Sequence, residues 1–287
     1  MPSLRDIRRQ IRSTKNVAQI TKAMETVAAS RLRRAQERVT ASRPFVARLE
    51  EVLAELAGAA TGDDVPPLLA VRQVRNSALV LMSPARGLKG ALPSNLNRQA
   101  ARFVADETPA TVETIAVGRK GRDFLARRGV HILADFLSLP DRPALADVAG
   151  IAQLVVKGYA NQEFDRVSLL YTQFVGMTSQ RPVVKRLLPV VPPEGTERHA
   201  KDVIYEPTAV EVLNQLLPRY VETLIYQALL EEIASEHAAQ MVAMRSATDN
   251  ANDVINDLTR TYNKVRQATI TREITEIASG AEAMANA

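Results

Sequence analysis

Two stretches of heptad periodicity, one at each end of the chain, constrain this sequence more than anything else in it. Near the N-terminus Leu4, Ile7, Ile11, Ala18, Ala28, Leu32, Ala35 and Val39 fall on one alternating 3,4 register, with Thr14, Thr21 and Glu25 between them. Near the C-terminus Leu230, Ala234, His237, Met241, Met244, Thr248, Ala251, Ile255, Leu258, Tyr262 and Val265 keep the same alternation. Apolar residues at this spacing form a seam along one side of a helix, and two seams pair as a coiled coil. A helix from Ser3 to Ala57 would run about 80 Å, and one from Arg219 to Ala285 roughly 100 Å. No small globular domain is that wide, so these helices pair with each other or with something outside the chain.

Local signals agree with the N-terminal helix. Ser3 and Asp6 make a Ser-x-x-Asp capping box, and Gly58, Gly62, Pro66 and Pro67 stop the helix after Leu56. Pro44 is expected to bend it, and Pro218 to kink or restart the C-terminal helix. A second apolar stripe, Val17, Ile20, Met24 and Val27, lies beside the first, so this helix has one face for a partner helix and another for an outside surface. The charges point the same way. Residues 1–43 hold eleven basic and three acidic side chains, and residues 208–287 hold eleven acidic and six basic ones, which predicts that the two ends meet.

Between the helices the texture changes to short β-branched runs bounded by turn residues. Strands are predicted over Ala78 to Met82, Thr114 to Val117, Val167 to Phe174, Val183 to Pro189 and Asp202 to Tyr205, and helices over Asn95 to Asp106, Lys120 to Arg128 and Ala144 to Ala160. Alternation of strand and helix followed by strand upon strand implies a small α/β, Rossmann-like domain with a mixed, mostly parallel sheet. The domain reading is therefore residues 1–58 as the N-terminal coiled-coil helix, 59–206 as the globular α/β domain, and 207–287 as the C-terminal coiled-coil helix.

Composition removes whole classes of chemistry. With no cysteine there is no disulfide, redox switch or zinc-thiolate site. No run approaches the ~18 apolar residues of a membrane span, and the Arg-rich N-terminus continues as a structural helix rather than as a cleavable leader. The chain reads as soluble and intracellular. Nothing in it reads as catalytic. Ala85-Arg86-Gly87-Leu88-Lys89-Gly90 lacks phosphate-loop spacing, and His131, His199 and His237 are too dispersed for a ligand motif. Glu231 and Glu232 occupy neighbouring helix faces rather than one site, and His237 lies on the heptad seam as a packed or partner-facing imidazole. Gly118-Arg119-Lys120-Gly121-Arg122 opens a helix and reads either as an anion cradle or as solvated surface. No cofactor is predicted. The basic N-terminal helix also admits a nucleic-acid reading, although few aromatics are available to stack on bases.

The most informative segment is Ser246 to Thr275, which carries Asn250, Asn252, Asn256 and Asn263 with Thr248, Thr259, Thr261, Thr269, Thr271 and Thr275. Asn and Thr form helices poorly, so a long helix with a narrow apolar stripe needs something around it. A polar shaft with a few charged or amide grips contacts a collar in several orientations at similar cost. If the collar's subunits change conformation with the face they meet, turning the shaft changes their affinities.

These residues resemble the gamma subunit of F-type ATP synthases, the central rotor shaft. The resemblance rests on Gln19-Ile20-Thr21-Lys22-Ala23-Met24-Glu25 and Val27-Ala28-Ala29-Ser30 near one end. Near the other it rests on Ala228-Leu229-Leu230, Ser235-Glu236-His237, Tyr262-Asn263-Lys264, Arg266-Gln267-Ala268, Ile270-Thr271 and Glu273 to Ile277. It implies an antiparallel coiled coil inside an alternating hexamer of alpha and beta subunits, where the beta subunits perform the ATP chemistry and this chain performs none. It implies that Arg266, Gln267, Thr271 and Glu273 grip the collar, with Met24 near the same collar and Gln240 where the family usually has a basic residue. Tyr205 and Glu206 would belong to the foot that meets the epsilon subunit and the membrane-embedded c-ring, with the chain peripheral at the cytoplasmic face of a bacterial membrane and bound to no nucleic acid. The family's Ser-Asp-Arg-Gly-Leu-Cys-Gly loop stands here as Ser83-Pro84-Ala85-Arg86-Gly87-Leu88-Lys89-Gly90, one residue longer and without its Asp and Cys. A basic DNA-binding coiled coil and a small α/β enzyme remain the alternatives.

Overall fold

A computed structural model of the chain describes residues 3–59, 66–107, 110–191 and 208–285. In chain order the elements are α1 (Leu4–Ala59), β1 (Asn76–Met82), α2 (Leu92–Asp106), β2 (Thr111–Val117), α3 (Arg119–Arg127), β3 (Ile132–Phe136), a 3₁₀ turn (Leu145–Val148), α4 (Ala149–Ala160), β4 (Arg166–Phe174), β5 (Gln180–Leu188) and α5 (Ala209–Ala285). The chain forms two compact units, Met1–Val27 with Met241–Ala287, and Ala28–Gln240. α1 and α5 contribute to both.

The sheet lies in the second unit, in the order β3-β2-β1-β4-β5. Its first three pairings are parallel and β4 with β5 is antiparallel, as the order of predicted elements implied. β1 is central and buried on both faces, which is why it reads as an unbroken apolar run rather than an alternating one. On one face Ala78, Val80, Ile115 and Leu169 meet Ile151 and Val155 of α4, Leu217, Val221 and Ile225 of α5, and Leu53 and Leu56 of α1. On the other, Leu79, Leu81 and Leu170 meet Leu96 and Ala100 of α2 and Leu125 of α3.

Four predicted strands are present, each starting one to three residues earlier than expected, and the last ends at Leu188 rather than Pro189, while Asp202 to Tyr205 lies outside the described residues. β3 went unpredicted. Its five residues Ile132–Phe136 alternate half-buried and exposed at the sheet edge, so the sequence carries no apolar run there, and pairing with β2 defines the strand. The predicted helix over Ala144 to Ala160 starts as the 3₁₀ turn, where the Asp147 carboxylate accepts the Ala144 N–H at 2.7 Å. Pro218 does not restart α5, which runs through it. Leu217, Tyr220 and Val221 beside it are buried against the sheet, and that packing outweighs one missing backbone hydrogen bond.

Candidate partner-contact surface of the paired helices

In the unit formed by Met1–Val27 and Met241–Ala287, the two helices meet along the predicted seam. Ser3 caps α1, its Oγ accepting the Asp6 N–H at 3.2 Å and its hydroxyl donating to the Asp6 carboxylate at 2.7 Å, which holds that carboxyl below its ordinary range. Ile7, Ala18 and Thr21 of α1 and Met244 and Ala251 of α5 are buried. The Thr21 and Thr248 hydroxyls hydrogen-bond each other at 2.7 Å. Arg8 donates to the Tyr262 hydroxyl at 2.6 Å, with its guanidinium 5.5 Å from the ring centre. Moving forward in α1 from Arg8 to Thr21 thus corresponds to moving back in α5 from Tyr262 to Thr248. The pair is antiparallel.

Extending that register brings Leu4 level with Val265 and Arg266, so the rest of α5 lies beyond the start of its partner helix. Every residue from Thr271 to Ala281 is exposed. A single helix of this length is marginal in water, so its ordered state calls for a surrounding surface. Arg266, Gln267, Thr271 and Glu273 sit at the start of this free end, all exposed, with no side-chain hydrogen bond or ion pair to another described residue. By helical spacing Arg266 and Glu273 share one face, and Gln267 and Thr271 an adjoining one. Between those faces runs an apolar stripe that the sequence reading missed: Ile270, Ile274 and Ile277, 42%, 62% and 72% exposed. Its 3,4 spacing was the available signal, overlooked because the segment is otherwise rich in Asn and Thr.

The second apolar stripe of α1 is unpaired in its own unit. Val17, Ile20 and Val27 are about half exposed and Met24 is half-buried. Gln240 is half-buried too. Tyr205 and Glu206 lie outside the described residues.

In the sheet unit, the loops where a ligand of an α/β enzyme would sit are filled by the chain itself. Ser83 Oγ accepts the Gly121 N–H at 2.8 Å and its hydroxyl donates to the Val117 carbonyl at 3.0 Å, while the Lys120 N–H reaches the Pro84 carbonyl at 3.0 Å. The N-terminus of α3 is therefore capped internally and the anion-cradle reading of Gly118 to Arg122 gains nothing from it. Gly118 makes this closure possible: its φ is +89°, and a Cβ there would lie 1.9 Å from the Ser83 carbonyl oxygen.

A buried polar cluster links this loop to α5. The Lys89 ammonium pairs with Glu236, and Glu232, almost wholly buried, accepts the Thr172 N–H at 2.6 Å. Burial pushes the Glu232 carboxyl up to about 7 and, with the nearby positive charges of Lys89 and Arg31, pushes His237 down to about 4. Glu231 points elsewhere, toward Arg43 at 3.7 Å, so the two adjacent glutamates form no shared site. Among the described residues no cluster of His, Asp or Glu is suited to a metal ion, and no helix is long and apolar enough to cross a membrane.

A family model described as ATP synthase matches residues 3–284. The ATP synthase gamma chain of Roseiflexus sp. (strain RS-1) is 52% identical over 288 residues, covering 99% of both chains, and that of Chloroflexus aurantiacus is 47% identical with the same coverage. The chain belongs to the ATP synthase gamma-chain family. Solved structures agree with the fold. The central stalk and c-ring structure of Tetrahymena thermophila mitochondrial ATP synthase contains a chain 25% identical to this one, with a TM-score of 0.62, over 79% of this chain and 99% of that one. The OSCP/F1/c-ring structure of Euglena gracilis mitochondrial ATP synthase, in rotational state 3, contains one with a TM-score of 0.69 at 20% identity, over 98% and 94%. A gamma chain of this family needs no catalytic constellation of its own.

Proposed function

We infer that this chain works as the central rotor shaft of an ATP synthase, a non-catalytic subunit that couples ion flow through the c-ring to ATP synthesis or hydrolysis on the alpha/beta hexamer. The observation that carries this reading is the free end of α5, a helix exposed from Thr271 to Ala281, where the Arg266, Gln267, Thr271 and Glu273 side chains have no hydrogen bond or ion pair with another described residue. A shaft acts on a collar only through contacts that differ between the collar's conformations. Arg266, Gln267, Thr271 and Glu273 supply such contacts around the circumference, and Ile270 and Ile274 supply apolar area. Met24 on the exposed stripe of α1 faces the same collar, and half-buried Gln240 joins it as an uncharged grip. The globular part is the foot, and Tyr205 and Glu206 engage the epsilon subunit and the c-ring. The division into residues 1–58, 59–206 and 207–287 follows from this reading, as does a peripheral position on the cytoplasmic face of the membrane.

The test is reconstitution with purified alpha and beta subunits from the same source, comparing the full chain with one truncated after Arg260. The full chain should assemble and stimulate ATPase turnover, and truncation should weaken the stimulation. Equal stimulation by both chains would remove the α5 tip from the mechanism.

A further inference from the structure

A groove of about 510 Å³ in the sheet unit, between α1, α5 and the loop at Asp141 to Pro143, has no role in the rotor reading. Arg31, Arg34 and Arg38 of α1 and Arg142 of the loop line it, with Ile233 and His237 of α5. Arg31, Arg34 and Arg38 follow the i, i+3, i+7 spacing of one helix face, which sets their side chains about one turn apart.

The carboxylates at this groove already have partners. Asp141 pairs with Arg31 at 3.4 Å, and Glu37 with Arg33 at 3.3 Å. Arg34, Arg38 and Arg142 have no ion pair or side-chain hydrogen bond among the described residues. His237 is 9% exposed, and its Nδ1 is buried without a hydrogen-bond partner. Its low proton affinity comes first from burial and then from the positive charge of Lys89 and Arg31, with Asp141 opposing and Arg34 adding.

Three guanidiniums without an ion pair among the described residues, lining one concavity, are matched to a ligand with several closely spaced anionic oxygens. Each planar guanidinium offers a two-pronged donor edge to a phosphate. One phosphate satisfies one or two such forks, whereas a chain of two or three phosphates reaches all three. The volume falls in the small-ligand range of roughly 300–1,000 Å³, which favours a compact anion over an extended acidic segment. We propose that this groove binds a diphosphate- or triphosphate-bearing anion, with Arg34, Arg38 and Arg142 holding the phosphate oxygens.

The full chain, at fixed ionic strength, is titrated with pyrophosphate, ADP, AMP and a hexaglutamate peptide while the imidazole resonances are followed by NMR. His131, His199 and His237 are the only histidines, so assignment needs two substitutions. Pyrophosphate and ADP should both bind, move the His237 resonance and raise its pKa. Tighter binding of ADP would identify a nucleotide as the source of the phosphates, and tighter binding of pyrophosphate the free anion. The R34Q/R38Q variant, altered only at exposed side chains, should bind about tenfold more weakly. An R5Q/R12Q variant, which removes the same charge from the other unit, should bind as the unaltered chain does.

Hexaglutamate binding as tightly as pyrophosphate would overturn the proposal in favour of an acidic protein segment. Equal weakening in the two variants, binding that leaves His237 unmoved, or no binding at all would overturn it outright.

Discussion

Lys89, in the loop after β1, forms an ion pair with Glu236 of α5, and both side chains are largely buried, at 9% and 14% exposed. Removing one member leaves the other charge uncompensated, so Lys89→Met should destabilise the chain by about 3 kcal/mol. Lys89→Met with Glu236→Gln should recover most of that loss. Urea unfolding of the two single variants and the double one gives the coupling directly. Simple additivity of the single effects would mean that the pair contributes nothing as a pair.

Glu232 and His237 push the pH dependence of stability in opposite directions. The His237 pKa falls from 6.5 to about 4 on folding, so the unfolded chain binds more protons between those values. Its contribution is complete above pH 6.5 and is lost as pH falls toward 4, on the order of 3 kcal/mol in all. The Glu232 pKa rises from 4.5 to about 7, so its contribution is complete below pH 4.5 and is lost as pH rises toward 7. Glu231, also raised by burial, adds to the second trend. Glu232→Gln should make stability climb with pH from 4 to 6.5, and His237→Gln should make it fall from 4.5 to 7. Unfolding free energies at several pH values check this, and parallel profiles in the two variants would refute it.

Gly118→Ala should be among the most damaging single changes in the sheet unit. It imposes a side chain at φ +89° and drives its Cβ into the Ser83 carbonyl. Losing both the local conformation and the Ser83 contacts should cost more than about 3 kcal/mol, against about 1–3 kcal/mol for Ser83→Ala, which leaves the buried Gly121 N–H without its acceptor. Thermal unfolding should rank them in that order.

At the helix seam, Thr21→Val should cost about 1 kcal/mol, because it removes the hydroxyl that meets Thr248 while the Thr248 hydroxyl keeps its bond to the Met244 carbonyl at 2.9 Å. The Thr21→Val, Thr248→Val double variant should be closer to the original chain than the sum of the single effects predicts. A double-mutant cycle by chemical denaturation is the measurement.

Substitutions at the free end should separate stability from function. The Arg266 and Gln267 side chains are exposed and make no hydrogen bond or ion pair with another described residue, so Arg266→Ala or Gln267→Ala should change the unfolding free energy of the isolated chain by less than about 0.5 kcal/mol. ATPase stimulation in the reconstituted complex should fall. Unchanged stimulation with both variants would place the grip on the collar elsewhere, with Ile270 and Ile274 the next residues to change.

Much of this molecule follows from its sequence alone because the signals are local and periodic. The 3,4 alternation from Leu4 to Val39 and from Leu230 to Val265 specifies two paired helices wherever the chain is placed, since the spacing itself builds the seam. Ser3 with Asp6 starts α1, and the unbroken apolar run of β1 announces a strand covered on both faces. Residue-by-residue resemblance at the two ends sufficed to indicate the family.

What only the tertiary structure decided depends on residues far apart in sequence. β3 is a strand because β2 lies beside it, and α5 continues through Pro218 because the sheet packs against its flanks. Lys89 becomes a buried ion-pair partner only when Glu236, distant in sequence, is brought to it, and Arg34, Arg38 and Arg142 become one basic groove only when the loop at Asp141 folds against α1. Burial, pairing and the electric potential at a point are sums over neighbours, and a linear sequence does not record which neighbours those are.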